Sequence, residues 1–271
     1  MAAKQKVMLM GVVGDAALSI YDGLIESGNF HVEVMESPEC VLPRKLQRQG
    51  TKIHLVDLED SSKLVSLLTG FDTLICAIGP NDLFLQKAVL QPAKLAGIKR
   101  FVPCAFDTVT PPRVVIITRD ETKIYGDGTA PNNLTNVPDI GKFVARIIQD
   151  DRTLNQYVYT YGDVLSQKEA IQIGEEIIGE KVETKHVQQD LIEVSLQRSK
   201  EVFNKDPENL NLRLGLYTAQ RIYSQYIRQD NTPANAESLG YLNARELYPD
   251  FKPRNFREVF AETRAKGAQK A

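Results

Sequence analysis

The residues most suggestive of chemistry stand near the N-terminus, where Gly11-Val12-Val13-Gly14-Asp15-Ala16-Ala17 forms a GxxGxxA pattern. A first glycine permits a tight turn, a second lets a diphosphate come against the backbone, and a small third residue lets the following helix close on the preceding strand. The first turn of such a helix offers unpaired N–H groups and the positive end of its dipole to phosphate. The spacing alone carries little weight. It gains weight from the apolar run before it (Lys6–Met10) and the helical pattern after it (Ala16–Glu26). Gly11, Val13, Gly14, Asp15 and Ala16 are therefore expected to bind a dinucleotide, with the Asp15 carboxylate an unhelpful charge beside a phosphate.

A second candidate follows at the end of the next apolar run. Glu36 lies about twenty residues past the glycines, where an acid accepts the ribose 2′-hydroxyl of NAD. A 2′-phosphate would call for Arg or Lys, and Arg44 and Lys45 stand a few residues on; a solvated loop charge is the plain alternative for Glu36. Two further strand ends supply Ala77, Ile78 and Gly79, and then Pro103, Cys104, Ala105 and Phe106. Small residues at strand ends let a cofactor lie against backbone. Cys104 reads as a small residue beside the nicotinamide, since no histidine is near it in sequence to activate a nucleophile.

These positions need a parallel sheet to bring them together, and the first hundred residues supply one. Apolar runs at Lys6–Met10, His31–Met35, Lys52–Val56, Asp72–Ala77 and Arg100–Cys104 alternate with helical patterns at Ala16–Glu26, Arg44–Arg48, Asp60–Leu68 and Gln86–Ala96. Strict alternation with short connections predicts an α/β fold, a Rossmann-type doubly wound parallel sheet. After Phe106 the pattern changes. One apolar run, Val114–Ile117, precedes turn-rich sequence, and helices are then expected at Asp139–Gln149, Ser166–Ile178, Asp190–Phe203, Leu212–Arg228 and Asn255–Ala265, with a strand at Tyr157–Tyr161. Ser166 with Glu169 makes a capping-box pattern. The division expected is a dinucleotide-binding domain over 1–122 and a C-terminal part over 123–271 carrying a smaller, mainly helical substrate lobe. On the Leu212–Arg228 helix, Tyr217, Tyr223 and Tyr226 could line an aromatic pocket, although such a stripe is more often core.

Composition narrows the partners. The chain has 271 residues, 42 % hydrophobic and 25 % charged, with a net charge of −2, so nothing favours nucleic acid or an anionic membrane surface. No run reaches the ~20 apolar residues of a membrane span, and the N-terminus lacks the apolar length of a signal peptide. Three scattered cysteines and three isolated histidines fit neither a disulfide framework nor a metal site. A cytoplasmic protein, a monomer or homodimer with a small-molecule substrate, is expected.

The chain resembles the isoflavone-reductase-like and NmrA-like group of atypical short-chain dehydrogenases, most of all its fungal members. The resemblance rests on GVVGDAA at the glycine turn, KRFVPCAF at Lys99–Phe106, the GDG, DIG and RTLN order within Ile124–Glu169, and ELYPDFKPRNFREVF at Glu246–Phe260. It implies NADP(H) or NAD(H) as cofactor and reduction of phenolic or other small aromatic metabolites. Some members of the group bind the dinucleotide without turnover, as redox-sensing regulators. Three departures stand out. Glu36 occupies the place of the basic residue that would hold a 2′-phosphate. Cys104-Ala105-Phe106-Asp107 replaces the group's SEFG. VVIITRDET runs straight into KIYGDG, without the helix that bears the group's catalytic lysine and the strand after it, a unit of roughly 30 residues or more. The catalytic residue is therefore unknown; Lys123 at the seam has the wrong context to take that role. Either the unit is left out of this sequence or the chain lacks it. Loss of a strand would open a sheet edge, which favours omission, and a Thr122–Lys123 Cα spacing beyond the ~3.8 Å of a trans peptide would mark it.

Overall fold

A computed structural model describes residues 3–48, 50–106 and 122–268. The run Val114–Ile117 lies outside the described residues. The others form two compact units. One holds the described residues up to 106 together with Val137–Asn155; the other holds 122–136 and the residues from 156 onward.

The first unit is built on β1 (Gln5–Met10), α1 (Asp15–Ser27), β2 (Phe30–Glu36), α2 (Arg44–Arg48), β3 (Ile53–Leu55), α3 (Ser61–Leu68), β4 (Thr73–Cys76), α4 (Gln86–Leu95), β5 (Arg100–Val102) and α5 (Val137–Ile147). The five strands are parallel in the order β3-β2-β1-β4-β5, so the chain winds outward from β1 in both directions. This is the Rossmann-type order expected. The side chains of β1 alternate between two cores. Val7 and Leu9 face α1 and α5, with Ile20, Leu24, Ile140 and Val144; Met8 and Met10 face α3 and α4, with Leu64, Leu68 and Val89. The fifth strand stops at Val102, two residues short of the sequence reading, because Pro103 has no N–H to continue the ladder.

Helices α1 and α5 meet backbone to backbone. A Cβ on Gly141 would stand 2.5 Å from the carbonyl carbon of Ser19 and closer still to its oxygen, and one on Gly23 would lie 2.8 Å from Cα of Gly141. The Ser19 hydroxyl stitches the crossing, donating to the Val137 carbonyl at 2.5 Å and accepting from Gly141 N–H at 3.0 Å. The second helix starts at Val137, ahead of Asp139, which is buried in its first turn and ion-paired with Lys142.

In the second unit, helices Gln167–Ile178, Gln189–Lys205, Leu210–Tyr226 and Phe256–Ala268 carry most of the regular structure. Ser166 and Glu169 close both halves of the expected capping box. Three two-stranded sheets accompany the helices. In one of them Thr122–Tyr125 pairs in parallel with Thr184–Val187, and Thr122 and Lys123 are successive residues of that strand, opposite Thr184 and Lys185. The chain is continuous through the junction.

Candidate functional site

The expected binding residues meet along one rim, at the C-terminal ends of β1, β2, β4 and β5. The turn after β1 is fixed by Gly11, whose φ of +92° favours glycine and whose absent Cβ would lie 2.5 Å from the Ala77 carbonyl oxygen. Gly11 therefore sits directly against the exit of β4. Ala77 itself donates its N–H to Met10 O at 2.7 Å. Gly14 ends the turn in extended geometry as the N-cap of α1, without a side-chain cap, and a Cβ built on it would meet nothing within 4 Å. Val13 is exposed on the turn, Val12 and Ala17 are buried beneath it, and Asp15 and Ala16 begin the helix. A helix N-terminus left open at Gly14 and without a side-chain cap is a place where a diphosphate can meet backbone N–H groups.

Glu36 turns its carboxylate onto this loop. Its Oε1 accepts the Val12 N–H at 2.6 Å, and its carbonyl accepts Val56 N–H at 2.9 Å. On the loop that follows, burial raises the Cys40 thiol pKa, with the Glu36 carboxylate adding to the effect both as a nearby charge and as its hydrogen-bond acceptor. Of the two basic residues beyond, Lys45 is committed elsewhere: its Nζ lies 2.5 Å from both carboxylate oxygens of Asp22 on α1.

The β4 and β5 exits are tied to each other. Cys104 donates its thiol to the Ile78 carbonyl at 3.2 Å, and its N–H goes to the Gln86 side-chain oxygen at 2.9 Å. Cys104 is half-buried, Phe106 packs against the core under α1, and Pro103 and Ala105 are exposed. Gly79 caps the short 3-10 helix Pro80–Leu85. Cys76, one residue before Ala77, is fully buried, and burial pushes its thiol up to about 12.

The sequence reading passed over three of these links. Val12 holds Glu36, Gln86 holds Cys104, and Asp22 holds Lys45; each joins residues 18 to 24 positions apart, beyond the reach of any local pattern. Two other readings resolve as packing. His54 shares the Glu33 carboxylate with His31 and Lys52, at 2.5, 3.0 and 3.2 Å. Tyr226 is buried and stacks on Tyr125 with 5.2 Å between ring centroids. Among the described residues no group of three or more His, Cys, Asp or Glu could hold a metal, and no helix is long and apolar enough to cross a membrane.

Residues 3–114 match the profile of the NmrA-like family. An asnovolin J 5′,6′-dehydrogenase of Aspergillus novofumigatus is 26 % identical over 90 % of this chain and 91 % of its own length. A probable pinoresinol-lariciresinol reductase of Arabidopsis thaliana is 24 % identical over 92 % of this chain and 94 % of its own. The crystal structure of leucoanthocyanidin reductase from Vitis vinifera with NADPH superposes with a TM-score of 0.77 at 19 % identity, covering 95 % of this chain and 98 % of that one. The alignment with the fungal dehydrogenase runs to 298 positions although only 90 % of the 271 residues here take part, so about fifty of its positions face gaps in this chain.

Proposed function

We propose that the chain is a member of the NmrA-like, isoflavone-reductase-like family and a nicotinamide-dinucleotide-dependent reductase of a small aromatic or conjugated metabolite. The observation that carries the reading is the Gly11–Gly14 turn: a first glycine of positive φ pressed on the β4 exit, and an open second one over a helix start with no side-chain cap. The names of the relatives, a dehydrogenase and a pinoresinol-lariciresinol reductase, and the NADPH held by leucoanthocyanidin reductase support it. When bound, the dinucleotide supplies a hydride. In this reading Gly11, Val13, Gly14, Asp15 and Ala16 hold the diphosphate through backbone N–H groups and the helix dipole. Glu36 accepts from the adenosine ribose. Ala77–Gly79 and Pro103–Phe106, fixed to one another by the Cys104–Ile78 bond, form the wall for the nicotinamide half. We place the protein in the cytoplasm as a monomer or homodimer, a reading supported by its sparse free cysteines.

A second reading is favoured by one observation. The sequence passes directly from Thr122 into Lys123 where the resemblance calls for a lysine-bearing helix, and about fifty positions of the alignment with the fungal dehydrogenase face gaps here. A dinucleotide-binding regulator without turnover needs the turn and not that helix. The two readings separate in one experiment: fluorescence titration with NADH and NADPH, followed by absorbance assays of coenzyme oxidation against a panel of phenolic and enone substrates. Turnover of any of them supports the reductase. Tight binding with no turnover across the panel supports the regulator. Absence of binding by either coenzyme refutes both.

A further inference from the structure

The second unit holds a short parallel sheet whose two outer edges are finished differently. Where Thr122–Tyr125 pairs with Thr184–Val187, Thr122 N–H donates to the Glu183 carbonyl at 3.0 Å and Gly126 N–H to that of Val187 at 2.9 Å. Backbone groups alternate sides along a strand. Lys123 and Tyr125 therefore turn theirs outward on one edge, and Thr184 and His186 on the other. The first edge is sealed by one side chain. The Gln167 amide, buried at the start of its helix, accepts Tyr125 N–H at 2.9 Å and donates to the Lys123 carbonyl at 3.2 Å, in the place of a further strand. The second edge has no such cover. Among the described residues nothing hydrogen-bonds the main chain of Thr184 or His186, and both residues are exposed.

An open edge is a template for another strand, and the side chains say which strand suits it. Val182, Thr184 and His186 line a groove of about 680 Å³ floored by the buried Ile124 and Ile171, so a chain laid along the edge also gains apolar surface. Glu183 and Lys185 are exposed and, by the alternation of the strand, stand on the opposite face. We propose that the strand Thr184–Val187 of a second copy of this chain docks here, antiparallel and centred on Thr184. In that register the two Thr184 residues exchange both N–H···O bonds, and each Glu183 lies directly across from Lys185 of the second copy. Threonine pairs and opposite charges across strands are favourable, and like charges are not. The two-fold axis makes the Glu183–Lys185 match twice. Sliding the pairing on by one step would set Lys185 against Lys185 of the second copy. The four-stranded sheet so formed ends on each side at an edge that Gln167 already seals, so assembly stops at two copies. This goes beyond the reductase reading and uses no part of it.

Sedimentation velocity of the full chain measures the assembly as wild type, as Glu183→Lys, as Lys185→Glu, and as an equimolar mixture of the two variants. Wild type is expected to be a dimer. Each variant alone opposes like charges at both places and should weaken the dimer by about tenfold or more. The mixture opposes unlike charges again and should return to within about threefold of wild type; a folding defect would not be repaired by mixing. Thr184→Pro removes an N–H that bonds nothing within the described residues. It should weaken the dimer by about tenfold with an unchanged circular dichroism spectrum, and it decides the matter if a charge variant fails to fold. Wild type that stays monomeric at about 100 µM, variants that dimerise as tightly as wild type, or a mixture that stays dissociated each overturns the proposal. The coenzyme reading stands in all of these cases.

Discussion

Replacing Gly141 by alanine should destabilise the first unit, and the structure gives the size of the effect. The new Cβ would stand 2.5 Å from the Ser19 carbonyl carbon and 3.0 Å from Ile20 N, against an ordinary contact of about 3.5–4.0 Å. All the atoms in the way are backbone of α1, so no side-chain rotation relieves the clash and the helices must part by about 1 Å. Overpacking of this kind costs about 1–3 kcal/mol and sometimes more. Separation also stretches the Ser19–Gly141 hydrogen bond, worth about 1 kcal/mol. Alanine returns about 1 kcal/mol of helix propensity, leaving a net loss of about 1–3 kcal/mol. For a chain of this size that corresponds to a fall of roughly 2–12 °C in melting temperature. Gly215, on the helix Leu210–Tyr226, is the internal control, because a Cβ there meets nothing within 4 Å. Gly215→Ala should stabilise by up to about 1 kcal/mol. Urea unfolding followed by circular dichroism measures both variants. A Gly141→Ala protein as stable as wild type would show that the two helices do not meet through these glycines.

Other perturbations have equally definite outcomes. Gly11→Ala places a side chain at φ +92° against the Ala77 carbonyl; it should cost about 2 kcal/mol or more and abolish coenzyme binding, read by fluorescence titration. Burial would raise the Glu33 carboxyl pKa, but hydrogen bonds from His54, His31 and Lys52 outweigh it and hold the group at about 2. Because the folded value is depressed from 4.5, its contribution is complete above the unfolded pKa and disappears as pH falls from about 4.5 towards 2. Glu33→Gln should therefore lose about 1–3 kcal/mol at neutral pH and show a shallower acid limb in denaturation measured across pH. Ser166→Ala, which removes the capping box, should cost about 1 kcal/mol, seen as a lower urea midpoint with an unchanged slope. Iodoacetamide treatment of the native protein near pH 8 should leave Cys76 unlabelled, since its thiol is buried and lies near 12. Mass spectrometry that finds Cys76 modified before Cys40 and Cys104 would refute that burial.

The features legible in the sequence are those written in local spacing. The five strands and four helices of the first hundred residues follow from apolar periodicity and the punctuation at Gly11, Gly28 and Gly70. The capping box at Ser166 is a three-residue signal and holds to the hydrogen bond. What escaped is tertiary. TKIY and TKHV give no clear core-facing pattern: Thr122–Tyr125 and Thr184–Val187 become strands by pairing with each other across about sixty residues. Gly141 looks like an ordinary helix-weakening residue until α1 is laid across it. The site splits the same way. The glycine turn is a short-range motif, whereas the destination of the Glu36 carboxylate and the capture of Lys45 by Asp22 are decided by which loops the sheet brings together.

The crossing of α1 and α5 also limits how this protein can be divided. Val7, Leu9, Ile20 and Leu24 share their core with Ile140, Val144 and Ile148, which the chain delivers only after passing through other structure. A fragment ending anywhere before Val137 would leave that apolar layer open to water, however complete its five strands. The first unit is therefore not an excisable module. Its last piece of scaffolding is synthesised after Thr122–Leu134, so a nascent chain cannot finish this core until more than half of it has left the ribosome.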